Sequence, residues 1–190
     1  MRRAAGAFSA LSIAAALTGG WILIQPMVIP PVPIPLPPIV RPLPQIEAPL
    51  TGPIDRIVID KGDRRLDVFR DGRRLKTYRV ALGFSPEGDK TRQGDGRTPE
   101  GVFRVDRRNP SSAYHLSLGI DYPQADDRAA ARAAGVDPGG DIFIHGQPNQ
   151  RPDGEVLAGD WTAGCIALSD AEIRELWDAT PDGTPVEILP

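Results

Sequence analysis

The chain has 190 residues, 22 of them basic and 25 acidic, with a formal net charge of −3 and one cysteine. Three basic residues and one acidic residue lie within the first 50, so the rest holds 19 basic against 24 acidic residues, a net −5. An acidic body without a basic stripe excludes nucleic acid as a partner, and one cysteine with two scattered histidines matches no zinc-ligand spacing.

In chain order, Arg2 and Arg3 precede an uncharged, mostly apolar run from Ala4 to Ile24. A positive cluster followed by such a run marks a secretion signal. Its length also suffices for a membrane span, which takes roughly 20 residues. Ala14, Ala15 and Ala16 suit a cleavage site, and Trp21 suits an interfacial anchor. Residues 1–25 therefore read as an apolar helix, either a signal peptide or a membrane anchor. Both place the remainder outside the cytoplasm, because positive residues stay inside.

Residues 26–53 hold 11 of the chain's 21 prolines. Proline fixes φ and removes the backbone donor, so neither helix nor central strand is expected there. A polyproline II spacer of these residues reaches on the order of 85 Å when extended.

Residues 54–190 read as one domain, mainly β (α+β), large enough for its own core. IDRIVID (54–60), RRLDVFR (64–70) and RRLKTYRVALG (73–83) largely alternate apolar and polar, and Asp71-Gly72 is a strong hairpin signal. A long Gly/Pro/charged loop follows at 84–101, of the kind that is often functional. Strands resume at 101–105 and 114–120. DDRAAARAAG (126–135) predicts a short helix stopped by Gly135. DIFIH (141–145) predicts a buried strand ending on His145, and an irregular loop (146–160) leads to the cysteine. SDAE (169–172) is a capping box that opens a second helix with Ile173, Leu176 and Trp177 inward. TPVEIL (184–189) is the last strand.

An unpaired cysteine in an exported chain is intermolecular, inert in the core, or reactive. Two local features favour reactivity. Gly164 removes a side chain beside Cys165, so a substrate carbonyl can approach the backbone and the N–H groups of Gly164 and Cys165 can face an oxyanion. His145 ends one strand and Cys165 follows the next long loop, which can set base and nucleophile at one end of a sheet. The capped helix begins too far along to polarise the thiol strongly.

GRTPEG (96–101), IHG (144–146) and TAGCIAL (162–168), in that order, resemble the L,D-transpeptidase catalytic domain, also called the YkuD domain, of bacterial cell-wall enzymes. The resemblance runs from about Ile54 to Leu189. It implies an L,D-transpeptidase-like β-sandwich with two short helices and no cofactor or metal. It further implies Cys165 as nucleophile, His145 as general base, Gly146 as the residue whose carbonyl orients that ring, and Gly164 and Cys165 at the oxyanion site. Such enzymes attack peptidoglycan stem peptides, expel a terminal D-alanine and pass the acyl group to an amine. The commonest signature of the family has His-Gly-Cys and a basic or amide residue two positions later; here Ala163 and Ala167 stand there. Arg97, Lys90 or Arg92 are the candidates to supply that charge, with Trp161 and Thr162 as further substrate-binding residues. His115 reads as a packed or surface residue.

These expectations describe a periplasmic cysteine acyltransferase, with the inner membrane as a second partner if the N-terminal segment is retained. Two alternatives stay open: a cysteine hydrolase of wall linkages using the same thioester, and a non-catalytic wall-binding module.

Overall fold

Alternation decides the first hairpin. Ile57, Ile59, Leu66 and Val68 are fully buried, while their sequence neighbours Arg56, Asp60 and Arg65 carry charges that keep to the surface. A period of two puts all four apolar side chains on one face of two paired strands. In the computed structural model, which describes residues 48–152 and 154–190, these are β1 (Arg56–Asp60) and β2 (Arg65–Arg70). The expected signal or anchor segment (1–25) and linker residues 26–47 lie outside the described residues. β2 turns into β3 (Arg73–Arg79) at Asp71 and Gly72, with φ of 52° and 73°. Two consecutive positive φ values make the hairpin turn whose twist matches the strands.

Four more strands and two helices follow before the last strand. They are β4 (Gly101–Ser112), β5 (His115–Ile120), α1 (Ala125–Ala134), β6 (Phe143–His145), β7 (Ile166–Ala167) and α2 (Asp170–Ala179), then β8 (Pro185–Leu189). The strand order is β3-β2-β1-β8-β4-β5-β6-β7. β4 serves both halves: Gly101–Arg104 pair with β8, and the stretch from Val105 to Ser112 pairs with β5 through two register shifts. The expected mainly β fold with two short helices is the fold observed.

Both helices follow their caps. Gln124 and Asp127 form a reciprocal capping box on α1, and Gly135 closes it in the left-handed region at φ 67°. Ser169 and Glu172 do the same for α2. Ile173 and Leu176 are fully buried and Trp177 packs on the core, so α2 seals the side formed by β5 and β6.

The linker meets the body earlier than residue 53. The Leu50 N–H donates to Glu175 at 2.5 Å, and the Arg70 guanidinium holds the carbonyls of Thr51 and Pro53 at 2.6 and 2.5 Å. β4 also runs seven residues beyond the expected strand at 101–105, because β5 pairs with its distal half.

Two edges of the sheet order meet. Past β3 the chain stays extended, and Ala81 and Ala167 exchange backbone hydrogen bonds at 2.9 and 2.8 Å. Thr162 bonds the carbonyl of Leu82 and accepts from Phe84. The segment after β3 is thus the partner of β7 and of the loop that carries Cys165. Tyr78, Val80 and Leu82 are buried in the core, as are Ile144, Ile166 and Leu168. Residues 79, 81, 143, 145, 147, 165 and 167 fall on the opposite, outer face.

Candidate active site

β6 and β7 run parallel, with Ile144 opposite Ile166 and His145 opposite Ala167. Cys165 immediately precedes β7, so it shares the outer face with His145, offset by one diagonal step. Both side chains line one cleft of about 310 Å³ together with Tyr114, Ser117, Asp141 and Phe143.

Backbone geometry fixes the imidazole. His145 Nδ1 is 2.7 Å from the carbonyl oxygen of Gly146. A carbonyl only accepts, so Nδ1 carries the proton and Nε2 of the neutral ring is the basic nitrogen. Gly146 has no room for a side chain: a Cβ would lie 2.5 Å from Asp170 Oδ1 and 2.9 Å from the Cβ of His115. His145 is 3% exposed, and burial pushes its pKa down from 6.5 against the opposing pull of the Gly146 carbonyl. Tyr114 and Trp161 wall it, with ring centroids 4.7 and 5.8 Å from the imidazole.

The sulfur sits in a backbone cradle. Cys165 is half-buried, and its Sγ donates to the Asp141 carbonyl at 3.4 Å while the Phe143 N–H faces it. Burial pushes the thiol up from 9.0, and the charge of Asp141 adds to this. The Phe143 N–H and the charges of Lys90 and Arg107 act the other way without reversing it. Both shifts favour a protonated thiol and a neutral imidazole at neutral pH.

The loop around the cysteine is pinned from below. The Thr162 hydroxyl donates to the Cys165 carbonyl at 2.7 Å and accepts from the Gly164 N–H at 3.1 Å. Asp160 accepts from the Leu82 N–H at 2.9 Å and pairs with Arg64 at 2.9 Å. Gly164 adopts φ 137°, and a Cβ there would meet the Arg97 carbonyl oxygen at 2.6 Å. The GRTPEG loop thus reaches the Cys165 loop through its backbone.

Three of the expected site residues are engaged within the fold. The Gly164 N–H is engaged by Thr162, so it is not a free oxyanion donor; the threonine two residues back closes a local turn on it. Thr162 itself holds the loop and is not among the cleft-lining residues. Arg97 does not line the cleft either: its guanidinium donates to the Asp89 carbonyl at 3.1 Å within its own loop. Lys90 is buried against Asp95 at 2.9 Å and braces the same loop. Trp161 does reach the site, through its ring against His145. His115 lies outside the cleft, with Nε2 2.8 Å from Arg174.

Sequence reasoning missed Asp141, Tyr114 and Asp160. Asp141 has φ 54°, which turns its carbonyl towards the sulfur; the Gly139-Gly140 pair before it was the available signal. Among the described residues no group of three or more His, Cys, Asp or Glu side chains is arranged to hold a metal ion.

The class is that of a mainly β domain with one cysteine and one carbonyl-tethered histidine in a shared cleft. The family model for YkuD, the L,D-transpeptidase catalytic domain, matches residues 54–188, and the chain belongs to this family. YafK of Escherichia coli strain K12, to which the name L,D-transpeptidase has been given, is 35% identical over 127 residues, covering 64% of this chain and 45% of YafK. YkuD of Bacillus licheniformis is 28% identical over 140 residues, covering 71% of this chain and 66% of the relative. Among solved structures, the helical cell shape determining protein Pgp2 from Campylobacter jejuni superposes with a TM-score of 0.56 at 28% identity, covering 72% of this chain and 48% of Pgp2. The matches thus span about half the length of YafK and Pgp2.

Proposed function

We propose that the protein is a cysteine acyltransferase acting on peptidoglycan stem peptides, with Cys165 as nucleophile and His145 as general base. One observation carries this reading: both side chains line a single cleft, with the histidine's basic nitrogen set by a fixed carbonyl.

In this scheme Nε2 of His145 takes the thiol proton as Sγ attacks the carbonyl carbon of a stem-peptide amide. The C–S bond forms, the C–N bond breaks, and the imidazolium returns the proton to the departing amine. A thioester remains on Cys165. An acceptor amine attacks it in the second half-reaction, giving up its proton to His145 and releasing the thiol. Splitting amide exchange this way replaces one difficult step with two easier ones. With the Gly164 N–H occupied, the Cys165 N–H is the oxyanion donor in this scheme.

Residues 1–25 and the proline tract suit an exported, membrane-tethered enzyme whose domain stands off towards the wall. Among the described residues no helix is long and apolar enough to cross a membrane. The proposal of a periplasmic site of action therefore rests on the sequence.

Hydrolysis is a second reading, favoured by one feature: Cys165 is only half-buried, which leaves a thioester open to water. Muropeptide analysis with the purified protein separates the two. New cross-links between third residues mean transfer; shortened or detached stems alone mean hydrolysis. Unaltered muropeptides with a chemically intact thiol would support the non-catalytic module instead.

A further inference from the structure

A cavity of about 650 Å³, larger than the cysteine cleft, is lined by Ala167, the residue opposite His145 and two along the chain from Cys165. Its floor is Ala81 and Ala167, the pair that joins the segment after β3 to β7, and Val156 and Leu157 of the 146–160 loop line it as well. Two small side chains opposite one another leave this space open two residues beyond Cys165. Loop 146–160 is held here by Gln147, buried, which bonds the Leu168 carbonyl at 2.5 Å and the Leu157 N–H at 3.0 Å.

The charged groups that line this cavity are Arg64, Arg79, Asp160 and Glu172. Arg64 and Asp160 neutralise each other at 2.9 Å. Glu172 accepts from the N–H and the hydroxyl of Ser169 at 2.9 and 2.6 Å as part of the helix cap. Arg79 differs from these three. It is exposed, and among the described residues its side chain makes no hydrogen bond and no ion pair. A guanidinium at the edge of a cavity with its donors unused is a carboxylate site in waiting, since its planar fork matches a carboxylate in two parallel hydrogen bonds.

Resting on the acyl-transfer reading above, we propose that this cavity is the subsite for the leaving residue of the donor peptide, with Arg79 binding its terminal carboxylate. The register supports the placement. Ala81 pairs with Ala167, so Arg79 stands level with Ser169, four residues along the face from Cys165, about 13 Å at roughly 3.3 Å per residue. An arginine side chain folded back over Ala81 recovers about half of that, leaving a gap on the scale of a single amino-acid residue. A peptide whose scissile carbonyl sits on Cys165 then presents the carboxylate of its last residue to the guanidinium. Arg79 is a specificity-determining residue in this arrangement and takes no part in proton transfer.

The test measures binding apart from chemistry. The full chain carrying Cys165→Ala is titrated calorimetrically with a stem tetrapeptide as the free acid and as its C-terminal amide. The same titrations are run with Arg79→Ala and Arg79→Lys added. The free acid is expected to bind at least about tenfold tighter than the amide, the worth of a charge-assisted hydrogen bond. That preference disappears with Arg79→Ala and returns in part with Arg79→Lys. Equal affinity for acid and amide, or a preference that survives Arg79→Ala, overturns the inference. A preference shown by the tripeptide, which lacks the leaving residue, and not by the tetrapeptide overturns it too. Turnover by the unsubstituted chain is scored separately: its absence counts against acyl transfer, while Arg79-dependent binding of the acid still upholds the carboxylate site.

Discussion

The Nδ1 atom of His145 lies 2.7 Å from the carbonyl oxygen of the residue that follows it, Gly146. This contact exists because Gly146 has no side chain: Asp170 and His115 occupy the space that a Cβ would need. A packing constraint therefore selects the tautomer of the proposed base.

Replacing His145 with Ala removes the proton acceptor. Acylation of Cys165 is expected to slow by at least about 10², the lower range for a lost general base. Stopped-flow acylation, with far-UV circular dichroism to show an intact fold, measures this. An unchanged rate would remove His145 from its role.

The thiol is pushed above 9.0 by burial and by Asp141, and the imidazole below 6.5 by burial. Alkylation of Cys165 by iodoacetamide is therefore expected to be slow at neutral pH and to keep rising beyond pH 9. A plateau already reached near neutrality would instead reveal a thiolate–imidazolium pair, contrary to the neutral pair described here.

The same shifts set a stability window. His145 in the fold binds its proton less readily than in the unfolded chain, so its contribution is present above pH 6.5 and fades as pH falls through the folded value. Cys165 holds its proton more tightly in the fold, so its contribution is present below pH 9.0 and fades as pH rises towards the folded value. Thermal unfolding across pH is expected to show that Cys165→Ser loses less stability above pH 9 than the unsubstituted chain does. Parallel curves would show that the thiol does not titrate differently on folding.

Gly164→Ala is expected to destabilise the domain by about 1–3 kcal/mol, the range for a strained backbone position. The Arg97 carbonyl at 2.6 Å adds a steric clash. Chemical denaturation reads the loss. An unchanged midpoint would mean that the two loops do not pack through Gly164.

Much of the fold is legible in the chain because it is written locally. Asp71-Gly72 fixes a hairpin, Ser169 with Glu172 fixes a helix start, and alternation fixes the core faces of β1 and β2. β7 is not legible. Its two residues pair with β6 and with the segment after β3, partners that sequence periodicity cannot join. The same reason hides the second half of β4. At the site, Cys165 and His145 stand out by residue type and strand position. The fate of the Gly164 N–H does not, because it depends on one hydroxyl rotor, that of Thr162. The engagement of Arg97 is not legible either, because its partner is a backbone carbonyl, that of Asp89, which no residue pattern announces.

The most direct measurement is intact-protein mass spectrometry of the chain mixed with a stem tetrapeptide and quenched in acid. The account predicts a covalent adduct equal to the donor without its terminal residue, located on Cys165 by peptide mapping and missing from Cys165→Ala. A protein that stays unmodified and releases no amino acid, although iodoacetamide still reaches its thiol, would contradict it.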